Sequence, residues 1–163
     1  MTPETATTQS QNVVFRRRPN PVPTPTQRVW TANVLLIDDD VADTCLILDV
    51  LRRHPSVSAA RATDAPEFAL RQLEAGRLKP DVVLLDVQMP RMNGFRFLEG
   101  MREISSLDHV PVVFLTTSSA ARDVKEAERS SASMYIIKPD TYFELQARLS
   151  GVIRRVVNSS WSN

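Results

Sequence analysis

Short apolar stretches recur along the chain from residue 33 onward, and longer amphipathic segments separate them. Five such stretches are rich in Val, Ile and Leu or in other apolar residues: 34–37, 57–62, 82–85, 112–115 and 134–137. They show little alternation of apolar and polar positions, which is typical of strands buried on both faces. The stretch at 57–62 has the most mixed composition, and we therefore predict that it forms an edge strand.

Between these stretches, hydrophobic residues recur at the three- and four-residue spacing of an amphipathic helix. The predicted helices cover 43–54, 64 or 65 to 75, 94–104, 119–129 and 141–157. Pro55 follows the first helix, Gly76 follows the second, and Thr141 can cap the last. Strict alternation of five strands with five helices indicates βα units and a parallel sheet.

Length and composition favour one globular domain with a tail. The chain has 163 residues, of which 42% are hydrophobic and 24% charged, so it can bury a sizeable core. Five of the 11 prolines lie in residues 1–32, a segment that buries too little apolar surface to offset its ordering entropy. We predict a disordered Pro-rich arm at 1–32, a folded domain at 33–157 and a flexible tail at 158–163.

Charge and cysteine content argue against several classes of protein. Lys plus Arg number 20 and Asp plus Glu 19, a balance that disfavours a nucleic-acid partner. No apolar run is long enough to span a bilayer, and the N-terminus lacks the apolar core of a signal peptide, so no membrane partner is expected. A single cysteine, Cys45, is typical of a reducing compartment. The expected location is the cytoplasm.

Polar residues of three chemical types follow the predicted strands. Asp38, Asp39 and Asp40 follow the first strand, Asp86 the third, Thr116 the fourth and Lys138 the fifth. In a parallel α/β sheet, ligands bind outside the carboxyl ends of the strands. Clustered carboxylates repel one another unless a cation lies among them, and their oxygens suit Mg²⁺. A lysine and a hydroxyl beside such a metal are what a phosphoryl group needs around it.

Each of these residues alone has a structural explanation, since an Asp after a strand is most often a cap or a turn residue. The presence of all of them, each at the end of a predicted strand, is much more specific for a functional site. Four segments resemble the receiver domain of two-component response regulators: VLLIDDD at 34–40, PDVVLLDVQMPRMNG at 80–94, PVVFLT at 111–116 and YIIKP at 135–139. The resemblance spans 33–157. It implies an α/β, flavodoxin-like (βα)5 three-layer sandwich with a parallel sheet of order 2-1-3-4-5.

The resemblance also assigns roles at the predicted site. Asp86 matches the phosphoacceptor, which takes a phosphoryl group from a phosphohistidine on a histidine kinase. Asp39 matches a direct Mg²⁺ ligand, and Asp38 matches a residue that acts through a metal-bound water. Asp86 itself and the backbone carbonyl of Gln88 complete the protein ligands of the metal. Asp40 is expected to cap the helix that follows.

Further matches concern the phosphorylated state. Lys138 matches the lysine that pairs with a phosphoryl oxygen, and Thr116 matches the hydroxyl that bonds another, so both join Asp86 in the predicted catalytic set. Thr116 and Tyr135 match the switch pair, which alters the surface of the fourth helix, fifth strand and fifth helix. The resemblance implies a cis peptide between Lys138 and Pro139 as well.

Only a few residues follow the predicted domain. We therefore predict a stand-alone regulator without an output module. The segment LTTS at 115–118 and Trp161 resemble the stand-alone regulators that partner bacterial phytochrome-type histidine kinases. Members of that group form homodimers. The expected partners are therefore a sensor histidine kinase of this type and a second copy of the chain.

Two other functions stay open from the sequence. The first is a phosphorelay intermediate, which passes its phosphate to a histidine phosphotransfer protein. The second is a Mg²⁺-dependent hydrolase with an aspartyl-phosphate intermediate; such enzymes generally need a second acid two residues after the nucleophile, where this chain has Gln88. We therefore predict a regulatory phosphoacceptor, not an enzyme that turns over other substrates.

Overall fold

The computed structural model of the protein describes residues 30–117 and 132–159. Most of the predicted arm, the helix predicted at 119–129 and the last residues of the predicted tail lie outside these ranges. So does Trp161, which contributes to the phytochrome-type resemblance. The boundaries between arm, domain and tail therefore stay predictions.

The described ranges contain five strands and four α-helices. The strands are β1 (Ala32–Ile37), β2 (Val57–Thr63), β3 (Val82–Asp86), β4 (Val112–Thr116) and β5 (Met134–Ile137). The helices are α1 (Val41–Arg53), α2 (Pro66–Glu74), α3 (Gly94–Arg102) and α4 (Tyr142–Ser159), with a 3-10 turn at Ser105–Leu107. Every element predicted within these ranges is present, with small shifts at its ends.

All five strands run parallel in one sheet, in the order β2-β1-β3-β4-β5. The predicted order 2-1-3-4-5 is confirmed, and β2 lies at an edge as its mixed composition indicates. Strands β3 and β4 are buried along their whole length, whereas β2 is only partly buried. Burial on both faces explains why the central strands lack alternation.

The sheet has one apolar core on each face. Val34 and Leu36 of β1 pack on the side of α1 and α4, while Leu35 and Ile37 pack on the side of α2 and α3. One strand serves both cores because successive side chains point to opposite faces. The three-layer sandwich is thereby confirmed. Across the described part of the chain, no helix has the length and hydrophobicity to traverse a lipid bilayer.

Two helices begin directly beside the carboxyl edge of the sheet. Asp40 caps α1, because its Oδ1 accepts a hydrogen bond from Asp43 N at 2.9 Å, and its predicted capping role is confirmed. Asn93 caps α3 in the same way, accepting from Arg96 N at 3.0 Å. The first turns of α1 and α3 therefore border the ends of β1 and β3.

Gly94, the first residue of α3, packs closely against the end of β3. A Cβ atom at this position would overlap the carbonyl oxygen of Asp86 and lie 3.1 Å from Val87 Cα. Because backbone atoms cannot move aside as a flexible side chain can, we expect Gly94→Ala to destabilise the protein by about 1–3 kcal/mol. Urea denaturation monitored by circular dichroism measures this loss.

Gly151 is the matched control for this substitution. It lies within α4, and apart from its chain neighbours and the adjacent backbone of its own helix, no atom stands within 4 Å of where its Cβ would be. Gly151→Ala is expected to stabilise the protein by about 0.5–1 kcal/mol through helix propensity. A Gly94→Ala variant as stable as the parent protein would contradict the close approach of α3 to β3.

Candidate functional site

Four predicted site residues lie at the carboxyl ends of neighbouring strands. Asp38 follows β1, Asp86 ends β3, Thr116 ends β4 and Lys138 follows β5. Because these parallel strands are adjacent in the sheet, their ends share one edge. Asp38, Asp86 and Thr116 are also the polar residues that are buried in the described part of the chain. Burial of polar groups is thus concentrated at this edge.

The Lys138 ammonium lies between three carboxylates. Its Nζ is 2.7 Å from Asp38 Oδ2, 2.7 Å from Asp43 Oδ2 and 3.1 Å from Asp86 Oδ1. The backbone N of Lys138 donates to Thr116 O at 2.7 Å, which ties the end of β5 to β4. The lysine side chain is only 8% exposed, so water screens these ion pairs weakly.

The second oxygen of each buried carboxylate accepts a hydrogen bond from the backbone. Asp38 Oδ1 accepts from Asp40 N at 2.9 Å, and Asp86 Oδ2 accepts from Gln88 N at 2.8 Å. Each carboxylate therefore presents one oxygen to the backbone and one to Lys138. This arrangement fixes the orientation of the Asp86 carboxylate through the turn that follows β3.

Burial raises the pKa of both Asp38 and Asp86 above its ordinary value, and the hydrogen bond and charge of Lys138 oppose this rise. Burial acts to lower the pKa of Lys138, but its hydrogen bonds to Asp38 and Asp43, together with the charge of Asp86, raise it overall. The lysine stays protonated as the shared counter-ion. Three carboxylates around one ammonium still leave an excess of negative charge.

This donor set fits a hard divalent cation. The charge of Asp39 also contributes to the raised pKa of Asp86, so Asp39 acts electrostatically on the same place. Among the described residues no group of three or more His, Cys, Asp or Glu is already arranged to hold a metal ion. Mg²⁺ does not need such a cage, because it keeps several waters and takes only one or two carboxylates.

Three other predicted residues lie around this cluster. The side chain of Gln88 is exposed, and its backbone N holds Asp86. Thr116 is fully buried at the end of β4. Tyr135 lies on the adjacent strand β5, in register with Phe114, and packs partly buried against the core on the α2 and α3 side. Thr116 and Tyr135 are therefore on neighbouring strands, as the predicted switch pair requires.

Two features of the site differ from expectation. Asp43 was not among the predicted site residues. Its position in the first turn of α1 was the available signal, because side chains of a helix point back toward its N-terminus, and α1 starts beside the end of β1. The expected cis bond between Lys138 and Pro139 is wrong, since the described part of the chain has no cis peptide bond. A trans X-Pro bond is intrinsically favoured by about 0.5–1 kcal/mol.

A 2-1-3-4-5 parallel sheet with buried carboxylates and a lysine at its carboxyl edge defines a flavodoxin-like α/β domain with an anionic site. Residues 34–150 match the family model of the response regulator receiver domain. The chain belongs to this family, whose members act in two-component systems.

Several characterised proteins share this domain with the chain. It is 35% identical over 127 residues to a protein-glutamate methylesterase/protein-glutamine glutaminase of Treponema pallidum, covering 77% of this chain and 30% of that protein. It is 34% identical over 123 residues to the KDP operon transcriptional regulatory protein KdpE of Escherichia coli, covering 76% and 52%. The chain thus spans about a third to a half of the length of these relatives.

Solved structures show the same fold. The phosphorylated cyanobacterial phytochrome response regulator RcpA is 26% identical with a TM-score of 0.67, over 75% of this chain and 91% of that chain. The Mn²⁺-bound response regulator Rcp1 is 25% identical with a TM-score of 0.65, over 74% and 91%. The similarity to RcpA supports the resemblance to regulators of the phytochrome type.

Replacing Lys138 by Met removes the counter-ion from between Asp38 and Asp86. In the unfolded chain these carboxyls titrate near their ordinary pKa of 3.8, and in the folded protein they titrate higher. Above that pH the unfolded chain ionises these carboxyls freely, whereas the folded protein ionises them only at a cost in free energy. This cost is larger without Lys138. In metal-free buffer, we expect the free energy of unfolding of Lys138→Met to fall relative to that of the parent protein as the pH rises from 4 to 7. The expected fall is about 3 kcal/mol.

Urea denaturation across this pH range measures the difference. Lys79→Met is the control, because Lys79 is an exposed lysine in the loop between α2 and β3. It should change stability little at any pH. A loss in Lys138→Met that does not grow with pH would mean that the carboxylates do not depend on Lys138.

Proposed function

We propose that this chain is a response regulator that accepts a phosphoryl group from a histidine kinase on Asp86 and signals through a change of its surface. The observation that carries this proposal is the placement of the Asp86 carboxylate. It is buried at the end of β3, with one oxygen held by Gln88 N and the other 3.1 Å from Lys138 Nζ. Membership in the receiver family supports the same role.

In the proposed reaction a carboxylate oxygen of Asp86 attacks the phosphorus of a phosphohistidine. A P–O bond forms, the P–N bond breaks, and its electron pair returns to the imidazole nitrogen of the kinase. The product is an acyl phosphate on Asp86. The Lys138 ammonium pairs with a phosphoryl oxygen and offsets the negative charge brought to the site, while the buried Thr116 supplies a hydroxyl for another oxygen.

The proposed cofactor is Mg²⁺, held by Asp39 and Asp86 directly, by the carbonyl of Gln88, and by Asp38 through a water. A bound Mg²⁺ would neutralise charge on the phosphoryl oxygens during transfer. The excess of carboxylates over ammonium at this edge supports the proposal. So does the metal in the related structure described as the Mn²⁺-bound form of Rcp1.

The proposed output surface comprises the helix predicted at 119–129, strand β5 and helix α4. A phosphoryl group adds close to two negative charges at the end of β3. Thr116 ends β4 at the site, and Tyr135 lies on the neighbouring strand β5, which is part of this surface. We propose that Thr116 moves toward the phosphoryl group and that Tyr135 follows it inward, so that charge at the site changes the shape of the surface.

The proposed partners are a phytochrome-type histidine kinase and a second copy of this chain. The similarity to RcpA, described as a cyanobacterial phytochrome response regulator, supports the first. Exposed apolar side chains on the proposed output surface support the second, since Ile137 and Phe143 lie there 38% and 78% exposed. We place the protein in the cytoplasm, without a nucleic-acid partner.

Phosphorylation is testable without the kinase. Incubation with Mg²⁺ and acetyl phosphate should add one phosphoryl group, with acetate as the leaving group, and intact-mass spectrometry detects it. Asp86→Asn should carry no adduct, because the oxygen of an amide is a poor nucleophile and does not form the acyl phosphate. Light scattering on the same samples shows whether phosphorylation changes the oligomeric state.

Asp81→Asn is the matched control for Asp86→Asn. Asp81 precedes β3, at the opposite edge of the sheet, and accepts hydrogen bonds from Asn33. It should retain the full adduct. An adduct that persists in Asp86→Asn would place the phosphoryl group elsewhere and overturn the assignment. If a histidine phosphotransfer protein rapidly drains the adduct, the chain would instead be a relay intermediate.

The metal assignment has its own test. Millimolar Mg²⁺ should raise the melting temperature of the unphosphorylated protein, because a ligand bound only to the native state stabilises it. Asp39→Asn should remove most of this rise. Asp40→Asn should keep it, because Asp40 caps α1 and Asn caps helices equally well. Equal responses of the two variants to Mg²⁺ would contradict the assigned role of Asp39.

A further inference from the structure

The third carboxylate at Lys138 belongs to helix α1. Asp43 Oδ2 accepts a hydrogen bond from Lys138 Nζ at 2.7 Å, as short as the bond to Asp38. Asp43 is about a third exposed, whereas the carboxylates of Asp38 and Asp86 are almost fully buried. The family resemblance assigns no role to Asp43.

The Lys138 ammonium has as many hydrogen-bond donors as it has carboxylate neighbours. An ammonium has three N–H donors, and three carboxylates surround Lys138 Nζ. The two hydrogen bonds, to Asp38 and Asp43, are shorter than the 3.1 Å approach to Asp86. Two donors are thus held by Asp38 and Asp43. One donor remains for a group at the proposed phosphoacceptor, whose carboxylate forms an ion pair with Lys138 Nζ.

The backbone of Asp43 is held as well. Its N–H donates to the capping carboxylate of Asp40 at 2.9 Å, and the Asp40 N–H donates in turn to Asp38 Oδ1 at 2.9 Å. The end of β1 and the first turn of α1 therefore form one hydrogen-bonded unit. This unit presents two carboxylates, those of Asp38 and Asp43, to the same ammonium.

We propose that Asp43 is a positioning residue, which together with Asp38 orients the Lys138 ammonium so that its third N–H meets the phosphoryl group on Asp86. The inference rests on the proposed function. In the transfer to Asp86, the phosphoryl oxygens come beside a carboxylate that lies 3.1 Å from Lys138 Nζ, within reach of this donor. Asp43 does not touch the reacting atoms, and it acts only through Lys138.

The rate of phosphorylation tests the orientation. With acetyl phosphate as donor, Asp43→Ala should lower the maximal rate about three- to tenfold, less than the full contribution of a charge-assisted hydrogen bond, because Asp38 still holds the ammonium. Asp43→Asn keeps an acceptor oxygen but not the charge, so it should recover part of the rate. The midpoint of Mg²⁺ binding should stay unchanged, because Asp43 is not a proposed metal ligand.

A double-mutant cycle separates positioning from a general effect on α1. If Asp43 acts through Lys138, Asp43→Ala should cause no further loss in a Lys138→Met background. Asp49→Asn is the matched control: Asp49 lies on α1 and binds Tyr142 and Arg53 instead of Lys138. It should phosphorylate at the parent rate. Equal losses from Asp43→Ala in both Lys138 backgrounds, or none in either, would overturn the proposal.

A measurement on the unphosphorylated protein keeps the two proposals apart. Proton–nitrogen NMR should show a slowly exchanging Lys138 ammonium in the parent protein and in Asp49→Asn, and its loss in Asp43→Ala. An unchanged signal in Asp43→Ala would overturn the role of Asp43 even if Asp86 is phosphorylated normally. A parent protein that takes up no phosphoryl group would overturn the proposed function instead, while the NMR signal still decides whether Asp43 holds Lys138.

Discussion

The ion pairs of Lys138 are the interaction on which the rest of the site depends. Two carboxylates at strand ends are buried, and their mutual repulsion would be severe without a cation between them. One ammonium, within 2.7–3.1 Å of Asp38, Asp43 and Asp86, joins the ends of β1 and β3 and the start of α1 to the end of β5. Because it only partly balances these charges, the same cluster can attract a further cation.

The parallel sheet makes this convergence possible. Strands β3 and β4 are buried on both faces and β1 is largely buried, so the polar residue at the end of each has only the sheet edge in which to lie. Short turns then complete the geometry, with backbone N–H groups of Asp40 and Gln88 holding one oxygen of each buried carboxylate. Close packing at Gly94 keeps α3 against the backbone that carries Asp86.

The receiver domain occurs in relatives that carry out very different tasks, from protein-glutamate methylesterases to transcriptional regulators. A shared domain of this kind does not define an output. We propose that it supplies a place where charge can change and a sheet through which that change reaches a surface. Thr116 and Tyr135, on the two strands nearest the surface that includes β5, are the residues through which we propose this happens.

Local patterns in the sequence were sufficient to predict the elements in the described part of the chain. Unbroken apolar runs predicted the strands, while Asp40, Gly76 and Thr141 marked helix ends that the structure confirms. These signals act over a few residues, through side-chain period and capping. The strand order, by contrast, followed from the family resemblance, since periodicity carries no information on which strands are neighbours.

Only the tertiary structure decided how the site is held together. Asp43 and Lys138 are 95 residues apart in the chain, and the trans bond at Pro139 departs from the family expectation. Apolar runs, each followed by polar residues, were enough to predict that carboxylates, a hydroxyl and a lysine follow buried strands. Which oxygen each donor meets depends on strand order, register and the start of α1, because hydrogen bonds form only where distant backbones bring two groups within about 3 Å.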